Sequence, residues 1–195
     1  EAEPEGHSHA VHDLVTFVDP ATGALRVATG SWDGTTRVWD ADTGGTLHVI
    51  DVGAPVKALA FFVDQATGTR RLACGAGDRR GGKLHIFEPD AGGEPLVVID
   101  VGSNVWALAF FADPATGALR LACGAGQLIP ETRSSTGDVR VFDPVAGGEA
   151  LVVIDVGKRV YALEVFADPA TGAPRLACGC DDVTVRIYDP LAGGE

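Results

Sequence analysis

Four near-copies of one stretch constrain this chain more than any other feature: FVDPATGALRVATG (Phe17 to Gly30), FVDQATGTRRLACG (Phe62 to Gly75), FADPATGALRLACG (Phe111 to Gly124) and FADPATGAPRLACG (Phe166 to Gly179). Their starts lie 45, 49 and 55 residues apart. Self-similarity at a period of roughly 40 to 50 residues marks a repeat architecture, in which one unit cannot bury its own faces and must stack on the next. Within each unit four short apolar runs alternate with turn chemistry. The first begins at Val11, Val56, Val105 and Val160, and a D-P-A-T-G hairpin, with Gln65 for Pro in the second copy, leads into the second. The third is TTRVWD, KLHIFE, DVRVFD or TVRIYD, and a Gly-Gly turn opens the fourth, such as LVVIDVG at Leu96 to Gly102. Gly or Pro stops every run before a helix could complete three turns. The expectation is an all-β chain of antiparallel four-stranded units, one domain over 1–195 with approximate units 1–48, 49–97, 98–152 and 153–195.

Composition agrees and narrows the partners. The 26 Gly and 11 Pro set against 7% aromatics are expected of many short strands joined by tight turns. A formal charge of −12 repels phosphate, which argues against nucleic acid as a partner. No apolar run approaches the roughly 18 to 20 residues that span a bilayer as a helix, so no membrane is expected.

The segment SWDGTTRVWDADTGGTL, from Ser31 to Leu47, resembles the end of a WD repeat, and Gly6-His7 stands where that family keeps its Gly-His pair. The resemblance implies a β-propeller with four WD40-like blades in this chain. It also implies a structural tetrad inside the first blade, made by His7, Thr29, Asp33 and Trp39. Buried polar atoms must be paired, and a linked set of them fixes one packing of the sheet. The other units depart from the pattern: Cys74, Cys123 and Cys178 stand at the Thr29 position, and Phe87, Phe142 and Tyr188 at the Trp39 position. Asp-Val-Gly replaces the Gly-His stretch, so those units are expected to rely on apolar packing.

The last unit stops at Gly193-Gly194-Glu195, where earlier ones continue into EALVVIDVG, and the opening Glu1-Ala2 matches Glu149-Ala150. The two ends therefore share one phase of the repeat, as in the strand exchange that closes WD-repeat rings. Four wedges cover about half of a ring of seven or eight blades. The expectation is a homodimer of head-to-tail chains, an eight-bladed ring in which each N-terminal segment completes the other chain's last blade. A compact four-bladed ring and a piece of a longer array remain as alternatives.

Function is sought where the units differ. The second-to-third connection grows to Asp78–Gly82 in one unit and Gly126–Gly137 in another, the latter carrying Leu128, Ile129, Glu131 and Arg133. That insertion reads as a contact surface or as a tolerated loop. A second variable set, His12, Lys57, Trp106 and Tyr161, follows the opening Val of each first strand. The family resemblance places it on the rim of the binding face, where aromatic and cationic side chains anchor peptides; filling gaps between blades is the alternative.

His7, His9 and His12 share the spacing of the metallo-hydrolase H-x-H-x-D-H pattern, but Val11 stands at the Asp position and no metal site is expected. The four Cys read as small buried hydrophobes, which suits a reducing, cytoplasmic setting. No nucleophile elbow, phosphate loop or scaffolded carboxylate pair is present. The expectation is a non-catalytic scaffold without cofactors that binds a protein or peptide and a second copy of itself. The alternatives are a small-ligand or glycan-binding propeller, disfavoured because repeated sites need identical loops, and a duplicated or engineered folding unit with no selected partner.

Overall fold

The computed structural model describes residues 6–192. Its first sheet is the meander β1 (Val11–Val18), β2 (Leu25–Ser31), β3 (Thr35–Asp40) and β4 (Thr46–Asp51). The second runs β5 (Val56–Val63), β6 (Arg70–Asp78), β7 (Gly81–Phe87) and β8 (Val97–Asp100). The third begins with β9 (Val105–Ala112) and β10 (Leu119–Ala125), then detours through a ribbon, β11 (Gln127–Ile129) and β12 (Ser134–Thr136), before β13 (Asp138–Phe142) and β14 (Val152–Asp155). The fourth has three strands, β15 (Val160–Ala167), β16 (Pro174–Cys180) and β17 (Val185–Tyr188). All pairings are antiparallel. The outer strands continue to Asp51, Asp100 and Asp155, a few residues past the unit limits at 48, 97 and 152, because they pair to their ends with the third strands.

The repeated hairpin explains its own sequence. Asp19 accepts the Ala21 amide at 2.9 Å and the Thr22 hydroxyl at 2.6 Å, and Gly23 turns the chain with φ 73° while its amide bonds to the Asp19 carbonyl at 2.8 Å. Asp113, Thr116 and Gly117 repeat the arrangement. In three units the Arg after the hairpin bridges its Asp to an acid at the end of the third strand: Arg26 joins Asp19 to Asp40, Arg71 joins Asp64 to Glu88, and Arg120 joins Asp113 to Asp143.

The core lies between sheets, not within them. Strands β1, β5, β9 and β15 lie side by side in chain order, and each junction is one apolar cluster. Phe17 stacks on Phe61 with ring centroids 4.9 Å apart, and Phe62 meets Phe110 at 4.8 Å. Beside these rings a Val seats against a bare glycine. A Cβ on Gly30 would lie 2.6 Å from Val56 Cγ1, on Gly75 2.4 Å from Val105 Cγ1, and on Gly124 2.9 Å from Val160 Cγ1. The Phe and Tyr residues at the Trp39 position, Phe87, Phe142 and Tyr188, are buried in these clusters.

The insertion after β10 is the ribbon β11–β12 rather than an irregular loop. Its Arg133 turns with φ 53°, a conformation that composition does not announce. The strand exchange between Glu1-Ala2 and the end at Gly193–Glu195 lies outside the described residues. Within the described residues no apolar cluster joins the last sheet to the first.

Gly75→Ala tests the junction geometry, since Val105 is stiff and cannot swing away. It is expected to lower stability by about 1–3 kcal/mol, the scale of overpacking. In urea unfolding, Gly75→Ala combined with Val105→Ala should lose less than the sum of the two single changes.

Candidate functional site

Two constellations stand out, one structural and one open to solvent. In the first, residues 6–10 fold back along the first sheet and carry His7 to the β2–β3 turn. His7 Nδ1 lies 2.9 Å from Asp33 Oδ2, its Nε2 lies 2.7 Å from Thr29 Oγ1, and Trp39 Nε1 donates to Thr29 Oγ1 at 2.8 Å. One assignment of protons satisfies every member: Trp39 donates to Thr29, the Thr29 hydroxyl donates to Nε2, and Nδ1–H donates to Asp33. Burial alone would raise the Asp33 pKa. The Thr35 hydroxyl and amide, His7 and the Ser8 amide all donate to the carboxylate and outweigh it, holding the group well below the usual carboxylate range.

The second constellation is the rim. His12, Lys57, Trp106 and Tyr161, from the starts of β1, β5, β9 and β15, line one concavity of about 440 Å³ together with Asp13, Leu108 and Leu163. The Lys57 ammonium donates to the Gly77 carbonyl and, at 2.9 Å, to Asn104 Oδ1, and it lies 5.1 Å from the Trp106 ring centroid. Burial pushes its pKa down to about 8, with Asp78 pulling the other way. Trp106 is fixed by its Nε1–H bond to the Gly126 carbonyl at 2.9 Å and meets Tyr161 edge to face at 5.1 Å. Arg159 lies 5.1 Å above Tyr161 and 6.0 Å from Trp106, so two cations flank two aromatic rings. On the first sheet His12 stacks flat on Trp32 at 4.8 Å.

The ribbon rises from the same end. Leu128 is exposed, as are Glu131 and Arg133, whereas Ile129 is half-buried. Buried Ser135 ties the ribbon to the fourth sheet by donating to Asp181 Oδ1 at 2.9 Å, and Asp181 pairs with Arg159 at 2.9 Å. Asp181 thus connects the ribbon to the rim. Arg159 and Asn104 are functional candidates that the sequence reading missed. They stand one residue before the first-strand Val, where Ala10, Pro55, Asn104 and Arg159 vary as freely as the residue after it.

The three N-terminal histidines diverge. His7 enters the tetrad, His9 contacts the Ser8 hydroxyl at 3.2 Å, and His12 turns to Trp32. The cysteines are free thiols; burial pushes Cys74 and Cys178 up to about 12 and raises Cys123 as well. Between the first two sheets Val52 stands where His7 stands in the first unit, four residues before its strand. Beside it opens a groove of about 390 Å³ that His85 also lines; His85 Nδ1 is buried without a hydrogen-bond partner among the described residues.

The depressed Asp33 pKa sets a sign for acid sensitivity. A carboxylate whose folded pKa lies below its unfolded value of about 3.9 stabilises the fold above that value and loses the contribution as pH falls beneath it. The stability gap between the parent chain and Asp33→Asn, from urea unfolding at a series of pH values, should narrow from about pH 4 downward. Thr29→Val, which strips partners from Trp39 and His7 together, should lower stability at neutral pH by about 1–3 kcal/mol.

Comparison with known proteins fits this geometry. Residues 2–40 match the family described as WD domain, G-beta repeat. No curated protein matches the sequence. Among solved structures the chain is similar to BBS1N, seen in a crystal structure of BBS1N in complex with ARL6DN soaked with lead. The identity is 13% and the TM-score 0.64, over 94% of this chain and 52% of that one. The chain therefore spans about half the length of that propeller-like neighbour, and at this identity the likeness concerns the fold alone. The first unit of the chain thus matches a WD repeat by sequence, and the stacked antiparallel sheets of the chain form a β-propeller-like fold.

Proposed function

We propose that this chain is a non-catalytic binding scaffold that holds a protein or peptide segment on the rim at the starts of β1, β5, β9 and β15. One observation carries the reading: four equivalent repeat positions bear four different side chains, and all four line one concavity. A chain with one site per repeat would keep those positions alike. A single composite site uses their differences, with Trp106 and Tyr161 as fixed aromatic anchors and Lys57 and Arg159 as cations around them. The exposed ribbon bearing Leu128, Glu131 and Arg133 extends the same surface.

Other features support this reading. The buried thiols with raised pKa values are poor nucleophiles at neutral pH. Free cysteines favour a reducing setting such as the cytoplasm. BBS1N, which shares the fold, is seen in complex with another protein. The reading includes a second copy of the chain as a partner, because half a rim in one chain becomes a full rim in a head-to-tail pair forming an eight-bladed ring.

Selection from a displayed random-peptide library supplies a ligand for the test. Trp106→Ala and Lys57→Met are each expected to weaken the selected peptide tenfold or more in calorimetry, and Leu128→Ser to weaken it less. Selected peptides whose affinity survives both rim changes would overturn the assignment of the site.

A further inference from the structure

At each of the three internal junctions, the glycine near the end of the second strand receives the first-strand Val of the next sheet: Gly30 takes Val56, Gly75 takes Val105, and Gly124 takes Val160. The seated valines are fully buried, each 0% exposed. The fourth sheet carries the same seat at Gly179. There, among the described residues, a Cβ would meet only Ala162, of its own sheet, at 3.4 Å. The first sheet carries the same knob at Val11, which is 48% exposed. Among the described residues, the last sheet therefore presents an empty seat and the first an unseated knob.

The surroundings repeat the mismatch. Phe166, Val185 and Ile187 on the fourth sheet are 38%, 72% and 50% exposed, whereas their counterparts on the third, Phe111, Val139 and Val141, are 7%, 0% and 0%. Leu14 on the first sheet is 58% exposed, whereas Leu59 at the same position of the second is 5%. Exposed apolar surface of this kind on two opposite ends marks a contact face.

The two open faces also differ from the internal ones in a matched way. On the outgoing face Glu164 replaces Val15, Ala60 and Ala109; on the incoming face Thr16 replaces Phe61, Phe110 and Val165. Both are exposed. A larger polar side chain on one face thus accompanies a smaller polar one on the other, at positions whose apolar counterparts pack in one cluster at the first two junctions. A carboxylate can accept from the Thr hydroxyl there.

We infer that Val11 of one copy seats on Gly179 of a second copy, with Phe166, Val185 and Ile187 covered by the first sheet of that copy. The inference rests on the two-chain ring proposed above and names the contact that closes it. The contact is heterologous, seat to knob, so two copies use it twice when the ring closes.

Light scattering on the whole chain at tens of micromolar, with Gly179→Phe and Val11→Asp, tests it. Gly179 lies outside the left-handed region and, among the described residues, has open space before it, so a side chain there blocks the seat without straining its own sheet. The parent is expected to run as two chains and each variant as one, with thermal unfolding showing both variants folded. Mixing the variants should restore a two-chain species, because the Val11 of one and the Gly179 of the other still make one intact junction. A folding defect cannot produce that rescue. A two-chain parent whose variants stay paired, or whose mixed variants stay single, overturns the seat but leaves the two-chain ring standing. A single-chain parent overturns both and leaves further repeats of a longer chain as the occupant of the seat. Rim binding of the selected peptide is read separately and falls only with Trp106 and Lys57.

Discussion

The structure depends on how one sheet covers the next. No sheet here has a core of its own: its apolar side chains point outward from both faces, and water is excluded only when another sheet lies against them. The close approach is set by glycines that carry nothing where a Val must enter, and by Phe rings in contact across the gap. The seat is on one face of each sheet and the knob on the other. Order and direction around the arc follow from that asymmetry.

The first unit solves its interior differently. Where the other sheets place a Cys and a Phe or Tyr, it places Thr29 and Trp39 and satisfies them with His7 and Asp33. Among the described residues the incoming face of that sheet has no apolar cluster against it, so a hydrogen-bonded set that tolerates partial exposure suits it better than an apolar patch. In the units whose incoming face is covered, the polar set is absent. Val52, Val101 and Val156 stand at the His7 position there and are buried with the sheets they join.

The rim follows from the same geometry. Side chains just after the first-strand Val emerge where four strands lie side by side, so positions about fifty residues apart in sequence become neighbours in space. Lys57 is held there by carbonyl oxygens and an aromatic face, with no carboxylate ion-paired to it among the described residues. A lowered pKa is the physical result of that desolvation.

The repeat and the strand pattern were legible in the sequence, because a turn Asp, a hairpin Gly and an alternating apolar run carry their conformational reasons locally, whereas His7, Thr29, Asp33 and Trp39 were named through the resemblance to WD repeats. His12, Lys57, Trp106 and Tyr161 could be named from sequence as variable, and the family resemblance placed them on a rim. Their sharing of one concavity, and the parts of Asn104 and Arg159 in it, depended on how four sheets splay, which no single repeat encodes. The insertion at Gln127–Thr136 did not announce a ribbon, since three-residue strands are too short to show alternation and are held by Ser135 reaching Asp181 in another sheet. Local chemistry settled the elements. Long-range packing decided which of their variable residues meet, and left the seat at Gly179 and the knob at Val11 at opposite ends of the chain.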